Sequence, residues 1–207
     1  VDGLTTLNGT SITLNHSDND FRGNVVVNNA SAAVNLVDFA GGIQLGDASA
    51  QFIANQLTIN SSGGNITQAN DVIVNTMALD AGTNDILLNS ATGNDISSIS
   101  IGSANNASIS NSVATNIQSA VIGNNLTIDS GGITTLGATV SVVDINNDLT
   151  ITSVVAINQQ VNSTLQVDTL TSLTSQNGTG TYQTNTLDNA GNELYQVNLV
   201  NAATVAL

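Results

Sequence analysis

The sequence predicts an all-β fold, a parallel β-helix (β-solenoid) of about nine coils of ~22–23 residues with essentially no helix. Three observations predict it. Short segments with apolar residues at i and i+2 run the whole length of the chain, the period of a strand with one buried face. These segments recur at a larger spacing. The composition suits stacked strands and tight turns: 31 Asn, 18 Gly and no Pro in 207 residues. Asn tolerates left-handed backbone and bonds locally, whereas Pro would remove a ladder donor.

The alternating segments, in order, are Ile12-Thr13-Leu14, Val25-Val26-Val27, Val34-Asn35-Leu36, Ile43-Gln44-Leu45, Leu57-Thr58-Ile59 and Val72-Ile73-Val74. Met77-Ala78-Leu79, Ile86-Leu87-Leu88, Ile99-Ser100-Ile101, Leu126-Thr127-Ile128, Leu149-Thr150-Ile151 and Leu165-Gln166-Val167 continue them. Asn, Asp, Gly or Ser bound most of them, which marks turns. One series, Leu14, Leu36, Ile59, Leu79, Ile101, Ile128 and Ile151, has gaps of 22, 23, 20, 22, 27 and 23. A second, Ile43, Ile66, Ile86, Ile109, Ile133 and Val155, has gaps of 23, 20, 23, 24 and 22. The rigid Leu spacing of leucine-rich repeats is missing. One domain over 1–207 is expected, and residues 175–192, poor in aliphatics, form a candidate irregular coil or loop.

Charge excludes several functions. Lys plus Arg number 1, Asp plus Glu 15, and the formal net charge is -14. A single cation cannot neutralise a run of phosphates, which argues against nucleic acid and anionic membrane surfaces as partners. No Cys means no disulfide or thiolate chemistry. No apolar run approaches the ~18 residues of a membrane-spanning helix.

Several motifs carry a family resemblance. Asn19-Asp20-Phe21-Arg22-Gly23-Asn24-Val25, Asn125-Leu126-Thr127-Ile128 and Gly63-Gly64-Asn65-Ile66-Thr67-Gln68 resemble the repeat units of filamentous-haemagglutinin-like exoproteins and related large bacterial adhesins. Gln56-Leu57-Thr58-Ile59 and Asp148-Leu149-Thr150-Ile151 are near matches to the second of these. Ala81-Gly82-Thr83-Asn84-Asp85-Ile86 and Gly93-Asn94-Asp95-Ile96 are similar to a further step of the repeat. The likeness is best over about residues 5–155. It implies right-handed β-helical shafts on a cell surface. The chain lacks the family's Pro-containing secretion motifs and is far shorter, so it reads as a shaft segment or a small protein reusing the repeat.

Candidate sites are few. Asp18 and Asp20 could offer two carboxylates to calcium, although no 12-residue calcium loop surrounds them. The same residues also read as turn formers. Arg22 and His16 lie near the same corner, where the plain reading is an exposed ion pair. A partial outward column of Thr13, Thr58, Thr127 and Thr150 is interrupted by Asn35, Ala78 and Ser100, which argues against an ice-binding face. Asn-x-Ser/Thr triplets begin at Asn8, Asn15, Asn29, Asn60, Asn65, Asn106, Asn125, Asn162 and Asn177. An Asn- and Thr-rich chain makes many such triplets by chance.

The expected function is structural and extracellular, without catalysis or cofactor. The chain would be a shaft or self-assembling fibre subunit serving cell-surface adhesion, biofilm matrix or surface display. Repeat segments run to both ends, so head-to-tail joining of terminal coils is one expectation and a cut from a longer array is the other. Host or cell-surface glycans are further candidate partners. The alternative is a polysaccharide-binding or polysaccharide-degrading module on the same scaffold, with Tyr182 or Tyr195 beside Asp in a groove.

Overall fold

Short strands of alternating pattern cannot bury one face alone, so they stack. The computed structural model describes residues 2–89, 93–177, 180–201 and 203–207, and these contain no helix. The first coil holds β1 (Thr5–Leu7) and β2 (Ser11–Leu14), and the second β3 (Asn24–Val27) and β4 (Ala33–Asp38). β5 (Ile43–Leu45) and β6 (Phe52–Ser61) make the third, β7 (Ile66–Gln68) and β8 (Val72–Asp80) the fourth. β9 (Ile86–Leu88) and β10 (Asp95–Ala104) follow, then β11 (Ala107–Asn111) and β12 (Thr115–Ile122). The seventh coil has three strands: β13 (Leu126–Ser130), β14 (Thr134–Leu136) and β15 (Val142–Ile145). Above it lie β16 (Leu149–Ser153), β17 (Ile157–Gln159) and β18 (Thr164–Ser175), which climbs into the ninth coil. β19 (Thr184–Thr186), β20 (Glu193–Asn201) and β21 (Thr204–Ala206) complete the described stack.

Every ladder between these strands is parallel. One column runs Ile43, Ile66, Ile86, Ala107, Leu126, Leu149, Thr171 and Val197. Its steps are unequal, shortest from Ala107 to Leu126 and longest from Thr171 to Val197. β3 and β1 extend it at the other end. The column therefore has ten levels, separated by nine turns. A second column runs Ile12, Val34, Leu57, Met77, Ile99, Ile117 and Leu136. Inward residues of both columns form one continuous apolar core. Like residues stack on like, which is the packing β-branched side chains favour.

The solenoid and its coil length match the sequence-based expectation, but the assignment of columns slips after the fifth coil. β12 pairs with both β14 and β15, so the single face below it divides in two. Ile101 is followed by Ala120 and Val143 rather than by Ile128. Ile128 and Ile151 belong instead to the column above Leu88 and Ile109. Ile133 and Val155, expected inside, sit exposed on corners. Thr13 and Thr58 lie on a different face from Thr127 and Thr150. Within 175–192, β19 interrupts the irregular stretch; Gly178 and Thr179 fall outside the described residues.

Polar side chains bind coil to coil at two corners. On the outer corner, from Asn65 to Leu170, a side-chain oxygen in one coil accepts a backbone N–H from the next. Asn65 Oδ1 takes the Asp85 N–H (2.9 Å), and Asp85 Oδ1 that of Asn106 (3.0 Å). Asn106 Oδ1 takes that of Asn125 (3.2 Å), Asn125 Oδ1 that of Asp148 (3.1 Å), and Asp148 Oδ1 that of Leu170 (3.1 Å). These N–H groups precede strand pairing and would otherwise lack partners. Inside the core, Gln68 and Asn94 exchange reciprocal amide bonds at 2.9 and 3.0 Å. Asn111 sits in the next coil, its amide bonded to the Ile96 carbonyl (2.9 Å) and the Thr115 hydroxyl (3.0 Å). Ser130, Ser153 and Ser175 continue the column above Asn111. Glycine is required where coils touch: a Cβ on Gly63 would run into the carbonyl of Phe39.

Candidate functional site

The Asn19–Gly23 segment forms the corner between the first and second coils, and a buried acid holds it there. In β4 the inward positions are Val34, Leu36 and Asp38, so alternation drives a carboxylate into the core. Asp38 is fully buried. Its Oδ1 accepts the Phe21 N–H at 2.7 Å and its Oδ2 the Gly42 N–H at 2.9 Å. Burial pushes its carboxyl above the usual range, against the opposing pull of these two bonds. Phe21 is thereby buried, and Arg22 is left on the outside.

The lone arginine is neutralised locally. Arg22 Nε lies 2.5 Å from Asp20 Oδ2, and its guanidinium reaches Asp2 at 3.4 Å. The hydrogen bond to Asp20 comes first among the causes that raise its pKa. Asp18 is exposed; its backbone N–H donates to His16 Nδ1 at 3.2 Å, and its carboxylate lies 3.8 Å from the same atom. Calcium at Asp18 and Asp20 would compete with Arg22 for Asp20. Hard cations take six to eight oxygens. Among the described residues no group of three or more His, Asp or Glu is placed to hold a metal. Asp18 and Asp20 therefore both lie at this corner, where Asp20 and Asp2 are taken up by Arg22.

Two hollows bear on ligand binding. The larger, about 470 Å³, lies beside Arg22 and is lined by Gly23, Gly42, Gln44, Asn65 and Thr67. Its glycines are explained by coil contact: a Cβ on Gly42, at φ +85°, would strike the Asn65 carbonyl. The second, about 310 Å³, lies between the eighth and ninth coils and is lined by Val167, Asp168, Glu193, Leu194 and Tyr195. Tyr195 is 83% exposed. Gln166 Nε2 donates to Glu193 Oε2 across the same coils at 3.4 Å. The expected pairing of Tyr with Asp in a groove occurs here at Tyr195; Tyr182 is half exposed elsewhere, bridged to Gln176.

Residues 1–28 and 31–101 match a family model described as repeats of unknown function (DUF5649). The likeness thus covers a little under half of the chain and falls on its first five coils. No curated protein and no solved structure matches the chain.

Sequence reasoning did not single out Asp38, although an acid at the inward position of Val34-x-Leu36-x-Asp38 was the available signal. It also did not bring Glu193 to Asp168. They lie a whole coil apart in sequence, and the longer ninth coil makes them neighbours.

Proposed function

We propose that the chain is a structural shaft segment, presented outside the cell for adhesion, biofilm matrix or surface display. The observation that carries this reading is the ten-level parallel ladder, tied at both its outer and inner corners by side chains bonding from coil to coil. Such a body resists bending and extension because neighbouring coils share both main-chain and side-chain bonds. At ~4.8 Å per coil, nine turns make a rod of ~43 Å. The polar Asn, Ser and Thr surface and the charge of -14 keep that rod soluble. The motifs similar to haemagglutinin-like exoproteins support placement on a cell surface. Head-to-tail contact of terminal coils belongs to the same proposal.

A second reading is favoured by the Asp168, Glu193 and Tyr195 groove. An exposed ring beside carboxylates suits a sugar, whose apolar face stacks on the ring while its hydroxyls meet the acids. The two readings separate by one experiment. The purified chain is incubated with a panel of neutral and acidic polysaccharides, with binding followed by calorimetry and turnover by reducing-end release. For a shaft, turnover is not expected, and any glycan binding should survive Tyr195→Ala. Saturable binding lost in Tyr195→Ala would replace the shaft reading with the glycan module, and reducing-end release would make the chain an enzyme.

A further inference from the structure

The acidic residues are unevenly placed. None lies in 130–143, 149–167 or 169–187, and none of these stretches holds a basic residue. These stretches build the face of the seventh and eighth coils that carries β14 and β17; β19 lies above it, followed by the exposed Asp188. The face is also apolar at its edges. Ile133, Val154 and Val155 form one rail, 38–40% exposed, at the corner leading into β14 and β17. Val140 and Val161, 82% and 65% exposed, form the other rail at the corner leading out. The three-residue strands between the rails span about 10 Å, with Thr135 and Asn158 turned outward.

The outer rail is rigid and strained. Ser141 bonds both the N–H and the carbonyl of Ala138, at 2.6 and 2.9 Å. Ser163 closes the loop above it through the Gln160 carbonyl at 2.7 Å, and Asn189 ties that loop to the next coil. Val140 adopts φ +63°, a left-handed conformation that is unusual for a β-branched residue. Its side chain points to solvent, so no packing within the chain offsets that strain.

We propose that this face is a lateral docking surface for a second copy of the same chain. The occupant follows from charge. Two bodies of net charge -14 repel each other wherever carboxylates face one another, and between the rails of the seventh and eighth coils none do. A basic partner would find no complementary acid here, whereas a second copy of this face brings uncharged aliphatic rails to the contact and requires no charge to be desolvated. The contact is apolar along its rails and spans only two coils, ~10 Å along the axis, so a single pair associates weakly. Rods of many coils would multiply it through effective concentration. The pairing is read from this surface alone and holds whatever the rod serves.

Sedimentation velocity over a concentration series, at low and high salt, tests the proposal. The expected result is reversible dimerisation, strengthened by salt because screening removes repulsion elsewhere while the apolar contact remains. Val140→Asp and Val161→Asp place charge on the outer rail and should weaken association at least tenfold. Val140→Asn separates the contact from the fold. Asn accepts the left-handed backbone, so this variant should melt at a higher temperature than the wild type and yet dimerise less. Phe39→Asp, on an exposed corner away from the face, should dimerise like the wild type. A chain monomeric at its highest soluble concentration overturns the proposal, as does undiminished dimerisation in both Val→Asp variants. Loss of dimers in Phe39→Asp alone overturns it in favour of another face. A monomer that floats with neutral phosphatidylcholine vesicles overturns it in favour of a lipid surface.

Discussion

Removing Asn106 tests the outer-corner ladder at its centre. Its Oδ1 accepts the Asn125 N–H at 3.2 Å and the Asn124 amide at 2.9 Å, and its Nδ2 donates to Asp85 at 3.0 Å. The first two bonds are neutral, about 0.5–1.5 kcal/mol each, and the third reaches a carboxylate, about 1.5–3 kcal/mol. The residue is half-buried, so water recovers part of this sum. Asn106→Ala should therefore cost about 2–3 kcal/mol in urea unfolding followed by circular dichroism. Asn106→Asp keeps the acceptor but sets a second carboxylate against Asp85. It should be destabilised at pH 7 and regain stability below pH ~4, where one of the pair is protonated. Asn146→Ala removes a nearby exposed side-chain amide with no hydrogen bond among the described residues, and should change stability by less than about 0.5 kcal/mol. Were Asn106→Ala as mild as Asn146→Ala, the corner bonds would be decoration on a fold held by its core alone. Were Asn106→Asp as stable as wild type at pH 7, the assignment of Asp85 as the charged partner would fail.

Other outcomes follow from individual sites. Thr171 and Thr134 are fully buried with hydroxyls that lack partners among the described residues, so Thr171→Val should raise stability by about 1 kcal/mol in the same assay. Gly63→Ala should destabilise by about 2 kcal/mol or more and lower the melting temperature, because the added methyl meets the backbone of Phe39 rather than a movable side chain. Asp38 and Asp85 should give opposite pH dependences. Burial raises Asp38 in the fold, so its contribution is complete below the ordinary carboxylate value of 3.8 and is lost as pH rises through the raised one; Asp38→Asn should flatten that loss. Burial also pushes Asp85 upward, but the bonds from Asn106 and Asn105 outweigh it and hold the carboxyl below 3.8. Its contribution is present above 3.8 and lost as pH falls through the lowered value, a loss that Asp85→Asn should abolish.

The strand period and the repeat length were legible because both follow from which residues must face inward. Val34-Asn35-Leu36 and Leu149-Thr150-Ile151 alternate as half-buried strands and are so placed. The column assignment failed at a definite point. A series built on apolar spacing treats each coil as having the same faces, whereas β12 hands its ladder to both β14 and β15. The second series had already slipped one step earlier, where Ala107 stacks on Ile86 and Ile109 on Leu88; after the division at β12 a uniform step lands on a corner, which is why Ile133 and Val155 are exposed while Leu126 carries the column. Small inward residues such as Ala107 and Ala120 give apolar patterning little to find.

The functional surfaces were less legible for a related reason. A solenoid makes neighbours of residues one coil apart, and coil length varies along a single column, short between Ala107 and Leu126 and long between Thr171 and Val197. Asp168 and Glu193 meet only because the ninth coil is long. The charge-free face has the same origin. Its acid-free stretches are separated in sequence by Asp144 and Asp148, and they become one surface once β14 and β17 stack. The sequence therefore displays gaps between acids, while the surface emerges only from the register. In a body of charge -14, where carboxylates are absent is as informative as where they cluster, because repulsion decides which faces of two copies can meet.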